Sequence, residues 1–450
     1  MISEKRDLPL DPETIKECIG SAQFSQSVRT ISSSYRGPQS IAAADFNKNG
    51  KQDVVVAYAT ENKVVYFSNQ GDGLWSASVL GTVNDASAVF AADLNGDGRI
   101  DVVAASETDN QVHWFKNNVG GWTHYTILDA AISAPRSLFV ADINGDNKPD
   151  IVAAGDAIAY LENQITNVQP NGWTINAVTY SGSPVDSIFA ADLDKDGFTD
   201  LVLASSTGDL VWLNNTSGSG TAFASNVIAT ATGSVQVFCT DIDGDGYMDV
   251  VTADKSKNAT TLYYNNLVIA THTLPSGNNN SAPAQSGWVG LYVDQDQNAP
   301  ESVFVTDIDG NGYQDIVVAI TGADTIKWYD TSDFYTWDAH AVGDATSPSY
   351  VYARDIDGDY VKDVIFASAT GNRLGWFEEL CATSLPDGGD DDHVVGWAVA
   401  GGVIGGLLIL WILVAIAIAI HDYIKHQMQK ASEQRKKEAK SMLPTEHDDL

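Results

Sequence analysis

The sequence predicts an all-β fold, a seven-bladed β-propeller of four-stranded blades, followed by one C-terminal transmembrane helix. A nine-residue acidic pattern recurs seven times along the 450 residues. Successive copies start 48, 49, 50, 49, 66 and 48 residues apart, a period that suits one four-stranded blade better than a helical repeat. After the last copy, 27 residues without a charge run from Val394 to Ile420, which is long enough to cross a bilayer.

The repeated pattern is D-x-[DN]-x-[DN]-G-x-x-D, and its copies are called loops one to seven. Asp and Asn side chains at positions 1, 3, 5 and 9, with a backbone carbonyl at position 7, can direct their oxygens to one calcium ion. Asp- and Gly-rich turns also join strands without a metal, but that alternative gives no reason for carboxylates at positions 1 and 9 in all seven copies. We therefore expect about one Ca²⁺ per blade. The predicted ligands are Asp45, Asn47, Asn49 and Asp53 in loop one, Asp93, Asn95, Asp97 and Asp101 in loop two, Asp142, Asn144, Asp146 and Asp150 in loop three, Asp192, Asp194, Asp196 and Asp200 in loop four, Asp241, Asp243, Asp245 and Asp249 in loop five, Asp307, Asp309, Asn311 and Asp315 in loop six, and Asp355, Asp357, Asp359 and Asp363 in loop seven.

The seven loops differ in their predicted affinity for the ion. Loops four, five and seven carry four Asp ligands, whereas loop one offers two, so loop one should bind most weakly. Position 6, where Gly permits a sharp turn, is Asn147 in loop three and Tyr360 in loop seven. Asn tolerates a left-handed backbone and Tyr does so poorly, which makes the geometry of loop seven an open question.

The residues around each loop predict four strands per blade. In the second copy, a short apolar run (88–92) precedes the loop and a continuous apolar run (102–105) follows it, as expected for strands buried on both faces. A third strand carries an aromatic pair, here Trp114 and Phe115. A fourth strand opens on an aromatic residue, here Trp122, which stands shortly before the next loop.

The ends of the repeat array predict how the ring closes. The seventh copy stops without its outer strand, whereas an orphan strand, Phe24–Ile31, precedes the first loop. The N-terminal strand should complete the last blade, which would remove two exposed sheet edges. Closure brings Cys18 and Cys381 near each other, so we expect a disulfide between them, with two unpaired thiols as the alternative. Cys239 lies in a predicted inner strand and is expected to be a core residue.

Loop two with its flanking apolar runs resembles the FG-GAP, or VCBS-type, repeats found in the propeller head of integrin α subunits. The resemblance covers roughly residues 20 to 380 and implies a calcium-binding propeller. Propellers similar to this one serve as adhesion heads, as lectins and less often as polysaccharide lyases, so the fold does not choose among these functions. The resemblance also implies structural calcium, bound on the face opposite the ligand.

The C-terminal segment predicts a membrane anchor. Acidic residues precede the uncharged stretch and Lys and Arg follow it, which places the tail in the cytoplasm and the propeller outside or in a lumen. The N-terminus has no apolar core of the kind that a secretory signal has. Gly401, Gly402, Gly405 and Gly406 form a small-residue stripe, so dimerisation of the span and a stripe without a partner are both open. The predicted domains are a polar segment (1–17), the propeller (18–382), an acidic stalk (383–393), the transmembrane helix (394–420) and a cytoplasmic tail (421–450).

Charge and residue types limit the function. A net charge of −34 argues against nucleic acid as a partner. No Ser/His/Asp or Cys/His pattern recurs, so we expect a non-enzymatic adhesion or ligand-binding ectodomain for an extracellular protein or glycan. The alternative is a cell-surface polysaccharide-active enzyme such as a lyase, for which Arg354, expected to pair with an Asp of its own loop, is the one unusual basic residue. Predicted N-glycosylation sites are Asn214, Asn215, Asn258 and Asn279.

Overall fold

The computed structural model of the protein describes residues 22–380 apart from 26, 129–130, 166–171, 231, 268–273 and 275–279. The chain divides into two units, Met1–Thr383 and Ser384–Leu450, and the second unit lies outside the described residues. The described part is all-β except for two 3₁₀ turns, Lys255–Lys257 and Thr321–Ala323. Its strands are β1 (Arg29–Ser32), β2 (Pro38–Ala44), β3 (Asp53–Tyr58), β4 (Lys63–Gly71), β5 (Leu74–Thr82), β6 (Ala86–Ala92), β7 (Asp101–Ser106), β8 (Gln111–Asn118), β9 (Gly121–Leu128), β10 (Ser137–Ala141), β11 (Asp150–Ala154), β12 (Ile158–Asn163), β13 (Trp173–Val178), β14 (Ser187–Ala191), β15 (Asp200–Ala204), β16 (Leu210–Asn214), β17 (Ala224–Ala229), β18 (Ser234–Thr240), β19 (Asp249–Asp254), β20 (Ala259–Asn265), β21 (Ser281–Ala282), β22 (Trp288–Asp294), β23 (Pro300–Thr306), β24 (Asp315–Ile320), β25 (Thr325–Asp330), β26 (Asp338–Asp344), β27 (Tyr350–Arg354), β28 (Asp363–Ser368) and β29 (Arg373–Phe377).

These strands form seven antiparallel sheets, which confirms the predicted seven-bladed propeller. Blades one to four are β2–β5, β6–β9, β10–β13 and β14–β17, and blade six is β23–β26. Blade five departs from the prediction of four strands, because β21 from the long insertion pairs with β22 as a fifth, outermost strand. The inner strands of neighbouring blades lie side by side around the ring, with β27 next to β2.

The N-terminal strand closes the ring, as the sequence predicts. β1 pairs antiparallel with β29, so that the order in blade seven is β27, β28, β29 and β1. Arg29 lies opposite Trp376, and a further bridge joins Phe24 to Glu379. The first and last described segments of the propeller are thereby held by backbone hydrogen bonds, and no blade is left with a missing outer strand.

The core consists of apolar layers between adjacent blades. The second strand of every blade is buried along its whole length, because both faces of that strand are covered by neighbouring blades. Six inner strands carry an aromatic residue three positions before the loop, and consecutive rings lie 4.4 to 5.3 Å apart. Blade one has Ala42 at this position. Cys239, the one cysteine among the described residues, is buried and forms no disulfide, as expected for a core residue.

Several sequence predictions fall outside the described residues. Among them are both cysteines of the predicted disulfide, Cys18 and Cys381, and the sequon at Asn279. The predicted span (394–420) with its stalk and tail is outside as well. Within the described part of the chain, no helix has the length and apolar character needed to cross a membrane.

An asparagine at the end of the third strand links neighbouring blades in five places. Its Nδ2 donates to the carbonyl at position 8 of its own loop and to the carbonyl at position 2 of the preceding blade's loop. In Asn117 these bonds reach Ile100 at 3.0 Å and Phe46 at 2.8 Å. We call these residues the latch asparagines: Asn69, Asn117, Asn163, Asn215 and Asn265.

Replacing Asn117 with Asp should destabilise the propeller. The carboxylate has no hydrogen to donate, so the buried carbonyls of Phe46 and Ile100 would lose their partner, at a cost of about 2–4 kcal/mol in the free energy of unfolding. The measurement is denaturant unfolding followed by circular dichroism. Asn118→Asp is the matched control, because its side chain makes only local bonds at the hairpin turn. Equal stability of Asn117→Asp and the native protein would contradict a stabilising role for the latch asparagine.

Candidate metal centres

All seven loops lie at one end of the propeller. Each connects the first strand of its blade to the second, as between β2 and β3 or between β27 and β28. We call this end the loop face. The turns between second and third strands, such as 107–110 and 369–372, form the opposite face.

The loop backbone turns twice through the left-handed region. Position 6 has positive φ in every loop, from +63° at Asn147 to +90° at Gly197 and Gly312, in agreement with the predicted glycine turn. Position 4 is left-handed as well, at Lys48 and Lys195 and at five glycines, which the repeated pattern does not predict. Tyr360 adopts φ +74° although its side chain is unsuited to it, so loop seven has the same backbone as the others.

The carboxylate at position 1 organises each loop. One of its oxygens accepts the backbone N–H of position 6 at 2.7 to 3.0 Å in all seven copies, as Asp45 does from Gly50. The side-chain oxygens at positions 3 and 5 accept N–H groups two residues further on, as Asp194 does from Asp196 and Asp196 from Phe198. These turns hold the side chains at positions 1, 3 and 5 against the loop backbone.

The carboxylate at position 9 is buried in every loop. In six blades one oxygen accepts the backbone N–H at the end of the third strand, at 2.7 to 3.0 Å. Burial raises the pKa of these carboxyls, to about 7 for Asp101 and to about 8 for Asp315. The charges of the other loop carboxylates raise the pKa of Asp101 and Asp315 further. A bound cation would offset the free-energy cost of keeping these buried carboxylates ionised.

Four loops bring three carboxylates together. In each group, one oxygen per residue lies within 4.8 Å of the others, a separation compatible with Ca²⁺–oxygen distances of roughly 2.3–2.6 Å. Asp192 Oδ1, Asp307 Oδ1 and Asp315 Oδ1 are buried and have no hydrogen-bond partner among the described residues. These clusters can therefore bind a metal ion and are compatible with calcium. The groups are Asp192, Asp194 and Asp200; Asp241, Asp243 and Asp249; Asp307, Asp309 and Asp315; and Asp355, Asp357 and Asp359.

Loops one to three hold their position 9 carboxylate differently. In loop one, Asp53 accepts from Tyr66 at 2.9 Å and from Asn47 at 3.4 Å. In loop two, Asn95 and Trp114 both donate to Asp101 at 3.1 Å. In loop three, Tyr160 donates to Asp150 at 3.2 Å. In loops one to three, these side-chain donors add to the backbone N–H groups that also hold the carboxylate. A cation therefore gains less there, which would weaken binding in loop one as the sequence predicts.

One predicted glycosylation site conflicts with the fold. Asn215 is a latch asparagine with 0% exposure, and its Nδ2, to which a glycan would attach, donates to Ile143 and Thr199. The sequence pattern alone does not reveal this burial, because the carbonyls that accept from Nδ2 lie in other segments of the chain. Asn214 is half-buried and its Nδ2 donates to Asp194, whereas Asn258 is exposed and uses its oxygen to accept from Ala299.

The opposite face carries paired charges of both signs. Arg136 forms ion pairs with Glu107 and Asp156 at 2.9 Å each, and Arg36 pairs with Glu61 at 2.9 Å. The unusual Arg354 lies on the loop face. It was expected to pair with an Asp of its own loop, but its Nε instead donates to Gln52 of loop one at 3.3 Å.

The comparisons with known proteins agree with this architecture. The FG-GAP-like repeat matches residues 45–104, 93–153 and 173–252. No curated protein matches the chain. Two crystal structures of BBS1N in complex with ARL6DN, soaked with mercury or with lead, are similar at 10% identity, with TM-scores of 0.51 and 0.50. The alignments cover 81% and 80% of this chain and 94% of the matched chain, and at this identity they show the fold alone.

Repeated blades with an acidic loop between their first two strands define the protein as a β-propeller of the FG-GAP-repeat class. The three matched repeats and the seven blades fit an FG-GAP β-propeller family. The resemblance to FG-GAP repeats that the sequence predicts is confirmed.

Tyr360→Gly should stabilise the propeller. A left-handed backbone costs an L-residue about 1–2 kcal/mol, and glycine avoids this cost. Glycine also has more conformational entropy in the unfolded chain, which offsets part of the gain. The expected net gain is on the order of 1 kcal/mol in the free energy of unfolding, measured by denaturant titration. Tyr313→Gly is the control, because Tyr313 is another exposed loop tyrosine that is not left-handed. A loss of stability in Tyr360→Gly would show that the side chain is needed.

Stability without metal should fall as pH rises from about 6.5 to about 8.5. A carboxyl whose pKa is higher in the folded chain stabilises that state below its unfolded pKa, and the contribution is lost as pH rises through the folded pKa. Asp101 and Asp315, with pKa values of about 7 and 8, lose their protons in this interval. Thermal unfolding of metal-stripped protein at several pH values measures whether stability falls. Saturating Ca²⁺ should abolish the decrease in melting temperature. A melting temperature that rises with pH in metal-stripped protein would contradict it.

Proposed function

We propose that the protein is a membrane-anchored, calcium-stabilised ectodomain that binds a protein or glycan ligand in cell adhesion or recognition. The FG-GAP propeller fold suggests a ligand-binding or adhesion-type domain. The observation that carries the proposal is the set of loop carboxylates, which converge in threes in loops four to seven. Calcium suits them because it takes six to eight oxygens in flexible geometry.

The placement of these loops supports different roles for the two faces. Their position 9 carboxylates are buried and bonded to the third strand, so an ion there would stabilise the blade and not reach a ligand. The opposite face carries exposed, paired charges such as Arg136 with Glu107. Polar turns held on a rigid set of strands are suitable for recognition, so we assign the ligand to the opposite face.

The membrane anchor rests on the sequence. The span 394–420 with its basic flank (425–440) supports a single-pass protein with the propeller outside the cytoplasm. If Gly401 and Gly405 pair two spans, two propellers would present two ligand faces and weak contacts would gain avidity. Seven bound Ca²⁺ would also move the net charge from −34 to about −20, which lessens repulsion within the propeller.

Removing calcium should destabilise the protein. Ions bound only by the folded chain stabilise it by mass action, so excess EDTA at pH 7.5 is expected to lower the melting temperature by at least about 5 °C. Differential scanning calorimetry of the full-length protein measures the change. Magnesium at the same concentration is the control, because it fits a flexible site of many oxygens poorly. An unchanged melting temperature in EDTA would contradict structural calcium.

Ligand binding should depend on the opposite face. The full-length protein is screened on glycan and cell-surface protein arrays, with a lyase assay on acidic polysaccharides in parallel. We expect binding without cleavage. For any ligand found, the double variant Arg36→Glu with Lys63→Glu on the opposite face should weaken binding by about tenfold or more, while Arg99→Glu on the loop face leaves it unchanged. Cleavage of a polysaccharide would favour the enzymatic alternative, and sensitivity to Arg99→Glu alone would reverse the assignment of faces.

A further inference from the structure

Two histidines in the outer hairpin of blade two contact each other directly. In this hairpin β8 pairs with β9, and the Nδ1 of His113 lies 2.9 Å from the Nε2 of His124. Two ring nitrogens at this distance share one hydrogen, so one ring donates and the other accepts. His124 also stacks on Phe115, with ring centroids 4.4 Å apart. A Cβ at Gly81 of β5 would lie 3.2 Å from His124 Nδ1, so the pair lies against an uncharged residue of blade one.

The two rings differ in their access to water. His113 is 3% exposed, and its Nε2 is buried with no hydrogen-bond partner among the described residues. His124 is exposed. The Nδ1 of His113 faces His124 and has the hydroxyl of Thr126 as a second contact at 3.4 Å. A hydrogen on the His113 ring is therefore satisfied at Nδ1 and unpaired at Nε2.

This contact has no place for a second proton. If His113 gained the proton, its Nε2 would carry a buried N–H that has no acceptor. If His124 gained it at Nε2, two N–H groups would face each other unless the hydrogen of His113 moved from Nδ1 to Nε2. Both routes leave an unpaired hydrogen on the same buried nitrogen. Acid is therefore expected to break the contact, with the exposed His124 turning into solvent.

The surroundings of His113 favour its neutral form. Its neighbours across the sheet are Ala104 of β7 and Thr126 of β9, neither of which is charged. The titratable groups that act on it are His124, which lowers its pKa, and Asp109 of the adjoining turn, which raises it. Burial has the largest effect, and the pKa of His113 falls to about 4. The folded hairpin therefore holds a neutral His113 at pH values where an unfolded histidine is charged.

We propose that the contact between His113 and His124 is an acid-sensitive clasp, which opens the outer hairpin of blade two below about pH 6. A group whose pKa is lower in the folded chain stabilises that state above its unfolded pKa of roughly 6.5, and this contribution is lost as pH falls toward the folded value. The broken contact also removes His124 from Phe115 and from blade one. Among the described residues the one other histidine is His340, on the outer strand of blade six, so the clasp is particular to blade two.

Opening of the clasp would reach the surface to which the ligand is assigned. β8 begins directly after turn 107–110 of the opposite face. If the ligand binds to this face, as proposed above, acid would loosen the binding surface at blade two and favour release in an acidified compartment. The opening itself does not depend on that assignment, so it is tested without a ligand.

Hydrogen exchange measured by mass spectrometry tests the clasp in the full-length protein, with saturating Ca²⁺ at pH 7.5 and pH 5.0. Exchange in the β8–β9 hairpin is divided by exchange in the β4–β5 hairpin of blade one, which cancels the effect of pH on chemical exchange. His113→Val is the test variant, because Val65 occupies the matching position in blade one. His340→Phe is the control, because it removes an exposed histidine that stacks on Trp328 and pairs with Asp330.

We expect this ratio to rise by about tenfold or more at pH 5.0 in the native protein and in His340→Phe, and to stay constant in His113→Val. A constant ratio in the native protein, or an equal rise in His113→Val, would overturn the clasp. If His113→Val fails to fold, the double variant His113→Val with His124→Phe replaces it, since it keeps a ring stacked on Phe115. The ratio should stay constant in the double variant as well, and a rise there would overturn the clasp.

Discussion

Buried negative charge at one end of the propeller is the constraint on which the other repeated features depend. Each blade places a carboxylate at position 9 inside the protein, where water cannot solvate it. The fold responds with backbone donors from the third strand and, in loops one to three, with side-chain donors such as Tyr66 and Trp114. In loops four to seven, further carboxylates converge instead, an arrangement that is compatible with a bound cation.

The same carboxylates connect the loop to the rest of the blade. Position 9 bonds to the residue that bears the latch side chain, and the latch reaches the loop of the preceding blade. A change in one loop therefore affects two blades. This arrangement explains how separately packed sheets are held together where a latch is present, as between blade one and blade seven through Asn69.

Much of the fold follows from local sequence patterns. The period of the acidic loops predicts seven blades, the orphan strand before loop one predicts closure by β1, and continuous apolar runs predict the buried second strands. These features succeed because each is marked by a local sequence pattern, even where the strands that pair, such as β1 and β29, are far apart in the chain. The fifth strand of blade five was missed, because a two-residue strand in a polar insertion carries no periodic signal.

The residues that join blades were harder to find. Asn117 follows the aromatic pair at the end of the third strand and recurs in four other blades, so a signal was present, but its acceptors belong to another blade. The burial of Asn215 was missed for the same reason, and its sequon was therefore misread. The left-handed backbone at Lys48 and Lys195 was hidden because lysine does not mark such a turn.

The most direct measurement is an anomalous difference map from crystals of the protein grown with calcium. We expect a peak between the carboxylates of each of loops four to seven, with weaker or absent density in loop one. A well-ordered propeller whose loops contain only water would contradict it, because the buried carboxylates would then have to be held by protons and protein donors alone.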